Sequence, residues 1–239
     1  MDITDMKKRP DIPDKDEKHL QPVMTSNRIF EALRQDIIQL QVLPGCSLSE
    51  WEIARKFDVS RQPVREAFIK LGEVGLVEIR PRRGTFVRLI SMREVDNVRF
   101  LREAIEVAIV RIAAEKATKK DITALNAVLA EHRALSDKDD YFGLLLHDET
   151  FHRVVARIAK REDAWSVINS LKAQIDRARF LTLPDIESIR VIIEQHEAVV
   201  EGIKNHDPDA AEAAMRRHLH EIQNFLPMLF KQYPNLFTD

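Results

Sequence analysis

Three histidines and an aspartate stand where the helical pattern of this chain calls for methyl groups. In LLHDETFHRVV, residues 145–155, the apolar positions Leu144, Leu145, Phe151, Val155 and Ile158 recur every three or four residues and mark the buried stripe of an amphipathic helix. Asp148 and His152 fall inside that stripe, one turn apart, so they project side by side. His196 interrupts a stripe running from Ile189 to Ile203, and His218 one running from Ala211 to Phe225. An unpaired buried charge costs several kcal/mol or forces a change of protonation. A single buried histidine is most simply a core residue satisfied by a carbonyl. Four such groups on the inner faces of three helices repel and desolvate one another unless a cation resolves the cluster. Neutral imidazoles with one carboxylate suit a divalent transition metal: zinc first, with nickel or manganese as further options. His147 and His220 flank the stripes, while His132, His206 and His19 read as exposed.

The elements that must position these groups are helices. Amphipathic periodicity runs through residues 94–118, 121–134, 140–160, 163–180, 185–205 and 208–229, with Pro184 and Pro208 near two of the starts. This pattern predicts an antiparallel bundle of about six helices.

The first half of the chain carries a different pattern. Residues 28–41 show helical apolar spacing and stop at Pro44-Gly45. Ser49 followed by Glu50 and Glu52 is N-cap chemistry for a short second helix, EWEIARKF. The turn Asp58-Val59-Ser60 leads to a third helix, RQPVREAFIKLGEVG, with Ser60 as its cap, Pro63 in its first turn and Gly75 closing it. Helix, short turn and arginine-led helix make a helix-turn-helix, which presents the start of its second helix to base edges. Arg61, Gln62 and Arg65 stand there: arginine suits guanine and glutamine suits adenine, while Ser60 and the helix N-terminus suit a phosphate. Two β-prone runs, Leu76–Arg80 and Thr85–Leu89, flank Pro-Arg-Arg-Gly and predict a hairpin whose tip carries Arg82 and Arg83, a wing able to touch backbone or minor groove.

Composition sets limits around this reading. The 239 residues suffice for two domains, and no apolar run approaches the roughly 20 residues of a membrane span. The opening 23 residues are charged and lack the apolar core of a signal peptide, so a disordered arm and a cytoplasmic protein are expected. Cys46 is the only cysteine, which excludes an intramolecular disulfide and suits a reducing compartment. Residues 24–90 carry a net charge of +3 and residues 91–239 a net charge of −4, a basic front before an acidic back.

LPGCSLSEWEIARKFDVSRQPVREAFIKLGEVGLVEIRPRRGTFV resembles the winged helix-turn-helix of the GntR family of bacterial transcription regulators. The resemblance implies that Arg61, Gln62 and Arg65 contact operator DNA and that Gly84 lies at the wing tip. One position departs: Trp51 stands where the family commonly has arginine, so the contact made by that arginine does not transfer. LREAIE, the D-x-x-F-H of Asp148 to His152, IDRARFLTL, EQHEAVVEGI and DPDAAEAAMRRHL are similar to the FCD effector domain of the FadR-type branch. That likeness implies a metal on Asp148, His152, His196 and His218, with a small organic acid beside it. Arg102 is the leading partner for the acid's carboxylate, with Arg177 and Arg179 behind it.

The expectation is therefore a mainly α protein: an arm over residues 1–23, a winged helix-turn-helix over 24–90 and an all-α effector- and metal-binding bundle over 91–239. It acts as a homodimeric, acid-responsive regulator of operator DNA, a repressor if it follows most relatives. The rival class is a metal-dependent hydrolase or lyase acting on a small carboxylate, since three histidines and an aspartate with an open coordination position could activate water. A purely structural metal is the third option.

Overall fold

A computed structural model describes residues 22–136, 140–183 and 185–239. Residues 1–21 of the expected arm, with His19, lie outside the described residues, as does Pro184.

The head is built from three helices and a small sheet. Helix α1 (Pro22–Ile38) starts two turns before the expected position, because its early residues already pack on α3: Ser26 and Ile29 are buried and the Asn27 Oδ1 accepts from the Lys70 Nζ at 2.5 Å. It ends where Leu40 takes a positive φ of 55°. Strand β1 (Ser47–Leu48) precedes α2 (Glu50–Phe57), whose cap is the expected one, Ser49 accepting from the Glu52 N–H. Asp58, in the left-handed conformation, turns the chain into α3 (Arg61–Glu73). Ser60 occupies the N-cap position of α3, but its side chain makes no capping hydrogen bond. Strands β2 (Val77–Arg80) and β3 (Gly84–Val87) form the antiparallel wing, with Arg80 opposite Gly84. The tip turns through positive φ at Arg82 and at Gly84, where φ is 106°. Strand β1 adds to the other edge of β3, a pairing the sequence pattern did not reveal.

Strand β4 (Ile90–Ser91) joins head to bundle and pairs in parallel with β5 (Phe237–Thr238), so the chain's end returns to the joint. Between them run α4 (Met92–Lys116), α5 (Lys119–Ser136), α6 (Tyr141–Ile158), α7 (Glu162–Leu171), α8 (Ala173–Phe180), α9 (Ile186–Lys204) and α10 (Pro208–Gln232). A Cβ at Gly202 would lie 2.6 Å from the Ala211 backbone nitrogen, so α9 and α10 cross at a distance only glycine permits.

The expected single helix over 163–180 is two. The break falls at Lys172, a buried lysine whose ammonium is held by Asp176 at 2.5 Å and Glu149 at 3.1 Å. No glycine or proline marks it. The break serves packing: Trp165 and Ile168 on α7 join one apolar core of the bundle, while α8 sends Ile175 and Ala178 into a second and Ala173 into the core of the head. The bundle therefore has seven helices among the described residues, not six.

Candidate metal centre and nucleic-acid interface

The four residues picked out by pattern meet inside the bundle. Asp148 and His152 come from α6, His196 from α9 and His218 from α10. Each is at most 6% exposed, and one ligand atom from each lies within 4.8 Å of all the others. The Nε2 of His218 stands 3.1 Å from that of His152 and 3.3 Å from that of His196, which lies 3.4 Å from the Asp148 Oδ1. Donors about 2.0–2.1 Å from a shared ion stand roughly 3.0–3.4 Å apart when adjacent in octahedral or tetrahedral geometry, so these three spacings suit one transition-metal ion, while Asp148 stands wider, 3.8 Å from the His152 Nε2 and 4.0 Å from that of His218.

The surrounding hydrogen bonds fix where the protons sit. Gln195 donates its amide to the Glu221 carboxylate at 2.6 Å, so its oxygen faces the His218 Nδ1 at 3.2 Å and that nitrogen must carry the proton. In His152 the Nδ1 lies 2.5 Å from a Glu106 carboxylate oxygen, off the line of a hydrogen bond. Its Nε2 faces the Arg102 Nη2, which can only donate, at 3.2 Å. Both rings thus turn an unprotonated Nε2 toward the cluster, that of His152 shared with the Arg102 guanidinium. Two lone pairs 3.1 Å apart repel, and the buried Asp148 Oδ1 beside them has no hydrogen-bond partner. A cation answers both faults. His196 is positioned by stacking on Phe151, ring centroids 3.9 Å apart.

Electrostatics agree with this chemistry. Burial, and then the neighbouring imidazoles, push the protonation of His196 and His218 well below the ordinary histidine range. Burial works against an ionised Asp148, but Arg179, donating to its Oδ2 at 2.5 Å, and the adjacent histidines hold it well below the usual carboxylate range. Glu106 is likewise held down to about 2, where Arg102 and His152 outweigh its burial. The site is two neutral imidazoles, a third ring and a carboxylate, with two guanidiniums at its edge.

Arg102 and Arg179 lie beside the cluster, Arg102 next to His152 and Arg179 on Asp148. Both line a cavity of about 30 Å³ together with His218, Thr182, Ile222 and Phe225. Arg177 does not. It is fully buried on the head-facing side of α8, with its Nη1 3.3 Å from the Gln174 Oε1, while Gln174 donates to the Gly75 carbonyl of the head at 2.6 Å. Arginines at 177 and 179 are two residues apart and so cannot share a helix face. His132, expected to be exposed, is 2% exposed, and burial pushes its protonation down to about 4.

Sequence reasoning missed Glu106, Gln195 and Glu221. Glu106 had a signal, because it lies four residues after Arg102 on the same apolar face, and the Arg102 Nε donates to it at 2.7 Å. Gln195 and Glu221 sit at ordinary polar positions, and only the crossing of α9 and α10 makes them a relay.

On the head, Arg61, Gln62 and Arg65 project from the first turns of α3 into solvent, and Ser60, Arg82, Arg83 and Gly84 are exposed. Arg61 and Arg65 both bond to Glu50. Trp51 does not pack into the core: it is 59% exposed, and the Arg55 guanidinium lies 4.6 Å from its ring centroid. Among the described residues no helix is long and apolar enough to cross a membrane.

Comparison with known proteins agrees with both halves. The profile of bacterial regulatory proteins of the gntR family matches residues 25–87, and that of the FCD domain matches residues 97–221. The HTH-type transcriptional repressor RspR of Escherichia coli is 38% identical over 227 residues, 93% of this chain and 98% of its own length. The HTH-type transcriptional repressor NanR of Cronobacter sakazakii is 31% identical, over 82% of this chain and 83% of its own length. Escherichia coli McbR/YncC shares the fold at 19% identity, with a TM-score of 0.72 over 87% of this chain and 98% of that one. Such relatives are regulators rather than hydrolases or lyases. A helix-turn-helix head on an FCD bundle, matched along nearly its whole length by repressors, makes this chain a member of the GntR family and a DNA-binding transcription regulator, not an enzyme.

Proposed function

We propose that the bundle is a sensor in which Asp148, His152, His196 and His218 hold one divalent metal ion, zinc first, with nickel or manganese as alternatives, and in which a small organic acid binds between Arg102 and Arg179. The observation that carries this reading is the convergence of two fixed lone pairs, a third ring nitrogen and an orphaned carboxylate oxygen on one buried point. A bound metal supplies there the positive charge that protons cannot, and offers a Lewis-acidic centre to an anionic ligand.

The chain's own residues explain how occupancy reaches the DNA. The cavity that Arg102 and Arg179 line is small, about 30 Å³, and an acid seated between them takes Arg102 from His152 or Arg179 from Asp148. Arg179 belongs to α8, whose other residues grip the head: Asp176 meets Arg34 of α1 at 3.5 Å, and Gln174 meets Gly75 just after α3. Taking Arg179 from Asp148 therefore pulls on the helix that seats the head. Operator affinity changes by the difference in the acid's affinity for the two arrangements.

On the DNA side, Arg61, Gln62 and Arg65 read base edges, Ser60 and the start of α3 take a phosphate, and Arg82, Arg83 and Gly84 bring the wing to the backbone. Two heads on a pseudo-palindromic operator require a homodimer. The exposed stripe of α4, with Phe100 at 62% and Leu101 at 39% beside Ala104 and Ala108, is the face we assign to the second copy. RspR and NanR are repressors by name, and repression in the cytoplasm is the role proposed here.

Metal analysis joined to a thermal-shift screen of sugar acids and short carboxylates tests the sensor. One metal per chain is expected, with stabilisation of about 2.7 kcal/mol at a hundredfold excess over Kd and operator release by the same acid. Failure to retain metal after reconstitution, or equal stabilisation of the chelated protein, overturns it. Arg65→Ala should abolish operator binding while the dimer persists; wild-type gel-shift affinity would count against the recognition-helix assignment.

A further inference from the structure

The two arginines at the start of α3 do not point into solvent independently. Glu50, the first residue of α2, reaches both: the Arg61 Nε and Nη2 donate to its Oε2 at 3.0 and 2.6 Å, and the Arg65 Nε donates to its Oε1 and Oε2 at 3.1 and 3.0 Å. The Glu50 side chain is 27% exposed, against 57% and 52% for the arginines, so the carboxylate sits beneath the two guanidiniums. Glu52, two residues further along the same helix, makes no such contact with its carboxylate among the described residues. An acid placed under base-reading arginines works against any phosphate nearby, and a head built only for affinity would lack it.

Two physical consequences follow. The bridge restricts two long side chains whose rotamer freedom would otherwise be lost on binding. Exposed pairs of this kind are weak, so the arginines are aimed without being locked. It also cancels one cation at the surface, which weakens binding that depends on cation count, as non-specific binding does, more than binding that depends on a guanidinium fork meeting a base edge. We infer that Glu50 is a specificity-determining positioning residue of the head: it buttresses Arg61 and Arg65 for base edges and disfavours phosphate-only binding. This inference rests on the reading of Arg61 and Arg65 as base readers.

The test uses the full chain, an operator duplex enriched from a randomised pool and a scrambled duplex of the same length, with anisotropy read across a salt series. Glu50→Gln binds the scrambled duplex several-fold more tightly, steepens the salt slope by about one per protomer, and lowers the operator-to-scrambled ratio about tenfold, within what one bidentate base contact contributes. Glu50→Asp keeps the charge but shortens the reach, so the ratio falls while the salt slope holds. Glu52→Gln removes an equal charge without freeing an arginine, and the ratio holds. The inference is overturned if both Glu50 variants keep the wild-type ratio within about twofold, or if Glu52→Gln lowers it as far as Glu50→Gln. Arg65→Ala, run alongside, separates the two failures. If it loses the operator while the Glu50 variants keep the ratio, only the buttress falls; if it binds the operator like wild type, the base-reader assignment falls and takes the buttress with it.

Discussion

In the head, Arg61 and Arg65 meet Glu50 with more than half of each arginine side chain in water; in the bundle, Arg102 meets Glu106 and Arg179 meets Asp148 with 4% and 11% of the arginine exposed. The partners are of the same kind and the distances are similar, yet the settings do different work. Water screens the head's pairs and replaces them at little cost, so their arginines remain available to a competing anion. Burial makes the bundle's pairs obligatory, because a partner removed there leaves a charge with no solvent to receive it. An exposed ion pair aims a side chain, whereas a buried one holds an architecture until a ligand supplies a substitute charge.

The largest expected effect strikes the buried side. Asp148→Ala should destabilise the bundle by about 3–5 kcal/mol by leaving Arg179 unpaired, and should abolish metal retention; thermal melts and metal content read both, and a melt within a degree of wild type would erase the distinction between the two regions. Next comes pH. His132 is held neutral down to about 4 in the fold, while an unfolded histidine takes up its proton near 6.5. The unfolded chain therefore binds more protons in that window, and stability falls as pH drops from 6.5 to 4, by up to roughly 3 kcal/mol from this residue. In metal-saturated protein, His132→Phe should flatten that portion of the stability profile; an unchanged slope would reject the buried-imidazole account. Glu106→Gln should weaken metal binding about 10–100-fold by loosening the His152 ring, seen in chelator competition. The smallest change belongs to the exposed wing. Arg83→Ala should lower affinity for all duplexes alike and reduce the salt slope by about one per protomer, and a sequence-dependent loss would instead make the wing a reader of bases.

Much of this was legible before any fold was known, and for an identifiable reason. Helical periodicity is local, so a polar group inside an apolar stripe betrays itself: Asp148, His152, His196 and His218 were each visible as interruptions. The cap at Ser49 and the turn at Asp58 are also local. Glu106 was half legible, through its four-residue spacing from Arg102. Gln195 and Glu221 carried no signal, and Arg177 and Arg179 looked alike until α8 turned one toward the aspartate–histidine cluster and the other toward the head.

The sequence by itself determined the helices, the head and its arginines, and which four residues interrupt the core, because each follows from spacing along one chain segment. Only the tertiary structure decided that the four interruptions meet at one point, that α7 and α8 part at Lys172, that Glu50 lies under two arginines, and that α8 touches both the cluster and the head. Those facts depend on how helices distant in sequence cross, and crossing is set by the packing of whole faces rather than by any one residue.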